Sequence, residues 1–237
     1  MPTVVRPTVA QLTEAHRQGQ LQIRAQSLQQ LVRAWGAFDP QDIAGSWPRV
    51  EAPAVAITRA GFDRSAQLGG AYYSMLRAVR GIPGQPTPQV ATAPPAEQLA
   101  EWLQIAPRWA GMTIARNQPG VTGNAFVVAA GTVGRNVMDG GRDTIVDSVQ
   151  ADPRAAGWAR VTAPNPCGFC AMLASRGPVY KSAGSAGEND AYHPHCACTP
   201  QPIYSRSDPW PGRAREFREM WDEADGDRNA FRAAIEA

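Results

Sequence analysis

Lysine is almost missing from this 237-residue chain: Lys181 stands alone among 23 basic residues, and every other cation is an arginine. Guanidinium groups suit bidentate contacts with carboxylate or phosphate. A net charge of only +2, however, denies the molecule as a whole a strong pull on nucleic acid. The balance runs +4 over 1–95, −1 over 96–150, +1 over 151–205 and −2 over 206–237. That distribution permits contact with DNA without arguing for it.

Long apolar runs are absent as well. No stretch approaches the roughly 18–20 residues of a membrane span, so a membrane is not an expected partner. Met1 to Arg6 leads into no apolar core of the kind a secretory signal needs, and thiols kept in a reducing compartment are the expectation. Histidine is scarce, and His16 is the one copy before residue 193. It is followed by Arg17 and Gln18, so the H-x-E half of a zinc deaminase signature is missing. Gly140-Gly141 is not followed by the Gly-Lys-Ser/Thr of a phosphate-cradling loop. Each absence removes an enzyme class.

Cysteine is present but confined. All four cysteines and two of the three histidines fall in the 32 residues from Cys167 to Cys198. They are arranged as Cys167-Gly168-Phe169-Cys170 and, 22 residues further on, His193-Pro194-His195-Cys196-Ala197-Cys198. Two such knuckles can close on one tetrahedral ion, and thiolate with imidazole is a zinc donor set. Disulfides are the weaker reading, because they leave the histidines unexplained and a C-x-C pair closes on itself only with strain. A redox C-x-x-C needs a βαβ context that this segment lacks. Six donors compete for four positions. Cys167, Cys170, His193 and Cys196 form the favoured set, Cys198 is the substitute, and His195 is assigned to the surroundings.

Hydrophobic spacing predicts a mainly α fold. Residues 8–38 read as one amphipathic helix opened by a Thr8/Gln11 capping box, and His16 is read as a satisfied core or boundary residue on it. A second helix is expected from about Pro53 to Arg80, packing on the first as a hairpin and closed by Gly81. Together these make a helical N-terminal unit, 1–80. Residues 81–95 hold five prolines and two glycines and read as a stiff linker, with docking of this stretch on a partner as the alternative.

An α+β module with short strands around a zinc clasp is expected over 96–205, the metal site spanning 167–198. It should contain a helix from Ala96 to Ala115, another from Asn124 to Asp139, and a short one from Arg142 to Gln150 after a break at Gly140-Gly141. Strands are expected at Trp158 to Ala163, Pro178 to Lys181 and Gln201 to Tyr204, with a short helix at Ala171 to Ser175 and a mobile loop at Ser182 to Asp190. A C-terminal helical tail, 206–237, breaks near Gly226 and either packs on its own domain or docks on a neighbour.

The order of these pieces carries a resemblance. Trp158-Ala159-Arg160-Val161 leads to Cys167-Gly168-Phe169-Cys170, then to Pro178-Val179-Tyr180, and last to His193-Pro194-His195-Cys196-Ala197-Cys198. This resembles the C-terminal module of the phage Mu F-like minor capsid (head morphogenesis) family, in versions carried by phages of actinobacteria. The likeness is good across about 140–205 and extends in helical layout from 96.

The resemblance implies a minor capsid protein of a tailed phage, inside the head near the portal vertex and in the host cytoplasm during assembly. It implies the portal protein as partner, with major capsid or scaffold protein and packaged viral DNA as further candidates, and a role in head assembly and genome packaging or ejection. Cys167, Cys170, His193, Cys196 and Cys198 match the family's metal positions, and Pro194 its H-P pair. Ala197 stands where relatives commonly have a basic residue. A non-enzymatic protein with structural zinc is the leading reading. The alternative is a capsid maturation protease, which some relatives are called. That would need three metal ligands and an open position, with Glu188 or Asp190 as base.

Overall fold

A computed structural model describes residues 7–84, 86–180 and 192–237. The first helix, α1 (Val9–Trp35), starts at the expected capping box: the Gln11 amide donates to Thr8 Oγ1 at 3.2 Å and the Thr8 amide to Gln11 Oε1 at 2.8 Å. It folds back through a short turn on α2 (Ile43–Val79). The two are antiparallel neighbours: Thr13 Oγ1 lies 2.8 Å from the Tyr72 hydroxyl, while Gln20, farther along α1, bonds to Ser65, earlier on α2. Helix α2 begins ten residues earlier than the proline-based expectation, with Pro48 and Pro53 inside it. Burial outweighs the two missing amide donors: Trp47 and Val50 pack in the core that holds Trp35 and Phe38. At the other end Gly81, at φ +65°, ends the helix, with the Ile82 amide bonded to the Arg77 carbonyl and the Gly81 amide to that of Ala78.

The proline-rich stretch does not hang free. The Gln89 amide donates to Ser148 Oγ and the Ala91 amide to Thr144 Oγ1, each at 2.9 Å, so two hydroxyls one helical turn apart satisfy an extended backbone. Residues from both sides of this strap fill one core, Leu31, Trp35 and Val50 meeting Leu103, Ala106, Val133 and Val137.

The expected helix 96–115 is two helices, α3 (Ala96–Leu103) and α4 (Ile105–Ala115). Pro107 accounts for the break, since it has no amide to offer the Leu103 carbonyl and its ring crowds that oxygen. Helix α5 (Val121–Ala151) then runs unbroken through Gly140-Gly141, where a stop was expected. Those glycines serve a close crossing with α2. A Cβ on Gly140 would overlap the Phe62 carbonyl oxygen, one on Gly141 would overlap the Gln20 side-chain amide, and one on Gly69 would lie 2.7 Å from the Gly141 carbonyl oxygen. Helix α5 is the axis of the molecule, packed on α1, α2, α3, α4 and the sheet.

The sheet is small and antiparallel, in the order β2-β1-β3. Strand β1 (Gly157–Val161) pairs with β3 (Thr199–Ile203) from Gly157↔Ile203 to Val161↔Thr199, and with β2 (Val179–Tyr180) on its other side. Between β1 and β2 lies α6 (Gly168–Ala174). The tail forms α7 (Ala214–Glu223) and α8 (Arg228–Glu236), separated around Gly226, with Asp227 capping α8. Phe217 and Phe231 bury against Ala171 and Ala174 of α6, so the tail packs on its own chain.

Candidate metal centre

Each knuckle is positioned by regular structure. Cys167 is the residue before the first turn of α6 and Cys170 lies within that turn, which puts both sulfurs at one end of the helix. The second knuckle is the tight turn at 193–196, closed by a 3.1 Å bond from the Cys196 amide to the His193 carbonyl, and Cys198 sits directly before β3. Because β1 and β3 pair, the chain after β1 and the chain before β3 emerge at the same end of the sheet.

That end is where the donors meet. His193 Nε2 lies 3.1 Å from Cys167 Sγ and 3.3 Å from Cys170 Sγ, and Cys170 Sγ lies 3.5 Å from Cys196 Sγ. Two donor groups result, Cys167–Cys170–His193 and Cys170–Cys196–Cys198, with Cys170 common to both. All four cysteines are free thiols, Cys167 exposed and the other three buried. The edges of a zinc tetrahedron built from sulfur at about 2.3 Å and nitrogen at about 2.0 Å are roughly 3.5–3.8 Å, so the 3.1, 3.3 and 3.5 Å separations are close to such edges, while Cys196 belongs to a different donor group from Cys167 and His193. The His193 ring is oriented to ligate. Its Nδ1 is 2.7 Å from the Pro194 carbonyl, and a proton held there leaves the Nε2 lone pair facing the sulfurs.

Electrostatics divides the buried thiols. Cys196 is pushed toward thiolate, first by hydrogen bonds from the thiols of Cys170 and Cys198 and then by the Arg142 charge. Cys170 is pushed the other way, chiefly by its bond to Cys196. At Cys198, Cys170 favours the thiolate, but Cys196 and burial prevail and raise it to about 11. A bound cation would strip protons from every sulfur that ligates it.

The residue that sequence inspection missed is Arg142. It is buried on α5 and its guanidinium donates to the carbonyls of Cys196 (2.9 Å) and Cys198 (3.1 and 3.2 Å) and to Asp139 (2.8 Å). Its Cζ also lies 3.9 Å from the centre of the Tyr192 ring, and the Arg160 guanidinium meets the same ring, again at 3.9 Å. The second knuckle is therefore held from α5 by one arginine and one stacked tyrosine.

The remaining expected residues divide plainly. His195 is exposed, at φ +66°, with its Nδ1 3.3 Å from Arg24 Nη2, and belongs to neither donor group. His16 belongs to neither donor group and lies in the α1–α2 core, stacked on Tyr72 at 4.4 Å. It is in the core as expected but not satisfied, since neither ring nitrogen meets a hydrogen-bond partner among the described residues. Lys181, Glu188, Asp190 and the loop Ser182 to Asp190 lie outside the described residues.

Fold and site together define a mainly helical protein that carries a compact cysteine–histidine knuckle pair on a three-stranded sheet. The profile of the VG15 protein family matches residues 7–224, and the chain belongs to that family. It is also similar to the Gene 15 protein of Mycobacterium phage D29, with 31% identity over 124 residues, covering 38% of this chain and 45% of the relative. The match thus spans less than half of that relative's length. No solved structure matches the chain. Among the described residues no helix is long and apolar enough to cross a membrane.

Proposed function

We propose that this chain is a minor capsid protein of a tailed phage, with a Mu F-like module stapled by one structural zinc ion. It sits inside the head near the portal vertex after assembly in the host cytoplasm, and acts in head assembly and genome packaging or ejection. The portal protein is its main partner. The observation that carries the reading is the meeting of Cys167, Cys170 and His193 on the end of a minimal sheet, joined through the shared Cys170 sulfur to Cys196 at 3.5 Å. Cys198 stands in reserve beside Cys170 and Cys196. Both donor groups consist of sulfur and imidazole alone, which suits a closed structural site. Membership of the VG15 family and the likeness to a phage protein supply the viral setting.

Untagged protein should carry about one zinc per chain, the count of a single four-coordinate site. It should lose sheet structure in a chelator and co-purify with co-expressed portal protein. A metal-free chain that keeps its fold removes the staple, and failure to co-purify removes the partner. Metal-dependent cleavage of co-expressed major capsid or scaffold protein would replace this reading with the protease.

A further inference from the structure

A fifth donor remains once zinc takes four. Cys198 groups with Cys170 and Cys196, not with Cys167 or His193, and the three sulfurs of its group lie within 4.8 Å of one another. All three side chains are shut off from solvent, Cys170 at 1%, Cys198 at 2% and Cys196 at 3% exposure. Among the described residues no histidine or carboxylate joins them.

The triangle is held by backbone on every side. Cys170 is fixed by the first turn of α6, and Cys198 by β3, which begins at the next residue. The Arg142 guanidinium binds the Cys196 and Cys198 carbonyls together, and the Cys198 amide lies 3.5 Å from Cys196 Sγ. Three thiols packed against one another without an oxygen or nitrogen side chain make a donor set, not an apolar filling.

Such a set selects among cations. Calcium and magnesium require oxygen. Zinc is almost always four-coordinate and completes its shell with water where the protein supplies three ligands, but sulfurs buried this deeply leave water no approach. A soft monovalent cation of the Cu(I) type prefers thiolate and is satisfied by three of them in a plane. Each thiolate that already binds zinc keeps a further lone pair for such an ion.

Building on the zinc reading, we propose that the knuckles hold a second metal ion. Zinc occupies Cys167, Cys170, His193 and Cys196, and Cu(I) occupies Cys170, Cys196 and Cys198. The Cys170 and Cys196 thiolates bridge the two ions, so the 3.5 Å between those sulfurs is an edge common to both coordination shells. Cys198 is then a ligand in its own right and belongs to the second ion alone.

Metal counting on the full chain decides it. Zinc-loaded protein is given Cu(I) without oxygen, with glutathione present as the competing thiol. The expected result is a gain of about one copper per chain, the count of one sulfur triangle, with the zinc retained. X-ray absorption at the copper edge should show an all-sulfur shell with zinc as a near neighbour. Cys198→Ser should weaken copper binding by at least the roughly 100-fold that loss of a supporting group costs a metal site, while zinc stays at about one per chain. Cys198→Ala serves as the second probe should the serine hydroxyl disturb the knuckle, with circular dichroism of the zinc form as the control. Copper that replaces zinc one for one overturns the inference. So does a chain that keeps its zinc and takes up no copper, or copper uptake indifferent to both Cys198 variants. A chain that binds no zinc at all removes the zinc reading itself, which sets that failure apart from the others.

Discussion

Around α1, α2 and α5 the chain buries Leu31, Phe62, Val133 and Val137 between helices of 27, 37 and 31 residues. The knuckle region buries Cys170, Tyr192, Cys196 and Cys198 behind strands of five, two and five residues. The helical part has apolar area in excess and gives up some stability to close crossings at Gly69, Gly140 and Gly141. The knuckle region has little core of its own and depends on point contacts: sulfur–imidazole convergence and one arginine. Removing one group from the first should leave a dent, whereas removing one from the second should open it.

The sharpest test of that contrast is Cys170→Ser. Because both donor groups share this sulfur, its loss should forfeit most of the metal binding energy, which reaches about 10 kcal/mol or more in small zinc sites. Hydrogen exchange should then show β1 and β3 unprotected while α1, α2 and α5 keep their protection.

Arg142→Met comes next. It strands the carbonyls of Cys196 and Cys198 and leaves Asp139 only its 3.4 Å pair with Arg135, at a cost of about 3–5 kcal/mol, measurable as a shift in the denaturant midpoint. Retention of wild-type stability and zinc content would remove Arg142 as the anchor.

Acid probes the helical part. Burial lowers the His16 pKa to about 3. The native state holds His16 neutral while the unfolded chain takes up a proton below about 6.5, so stability is full above that pH and falls as pH drops toward 3. Between pH 7 and 4 the loss should be roughly 3 kcal/mol by linkage. His16→Phe should flatten that slope. An unchanged slope would show that the core histidine does not set the acid sensitivity.

The smallest effect belongs to Gly140→Ala, which presses a methyl group into the Phe62 carbonyl and should cost about 1–3 kcal/mol as overpacking, without altering zinc content. A comparable or larger loss of zinc would mean that the two regions are not separable in the way proposed.

Much of this architecture could be read in advance, and the failures are instructive. The capping box at Thr8, the strand before Cys167, the strand after Cys198 and the break near Gly226 are local signals, and local signals were enough. Pro48 and Pro53 sit inside α2, and Gly140-Gly141 inside α5, because tertiary burial there exceeds the local penalty. Pro107, by contrast, does divide 96–115. Whether a proline or glycine breaks a helix depends on what packs against it, which spacing alone does not reveal.

The cysteine–histidine cluster was legible because residues able to ligate a metal stand at particular intervals, and the fold brings them together. Arg142 was not, because a guanidinium that binds two carbonyls from 54 and 56 residues away leaves no pattern in the sequence. The inverted polarity of α4 was equally hidden, since Trp109 and Met112 look like core residues until the fold shows Ala106 and Ala110 taking that place.

The strand of contacts from Arg142 has a temporal consequence. Synthesis completes α5 before either knuckle exists, and domains build from the N-terminus as the chain emerges. The carbonyls of Cys196 and Cys198 thus arrive at a guanidinium already in place, and a cation bound by the knuckles would close a seam whose far bank is set beforehand. The last ligands to leave the ribosome meet a mould, not a search.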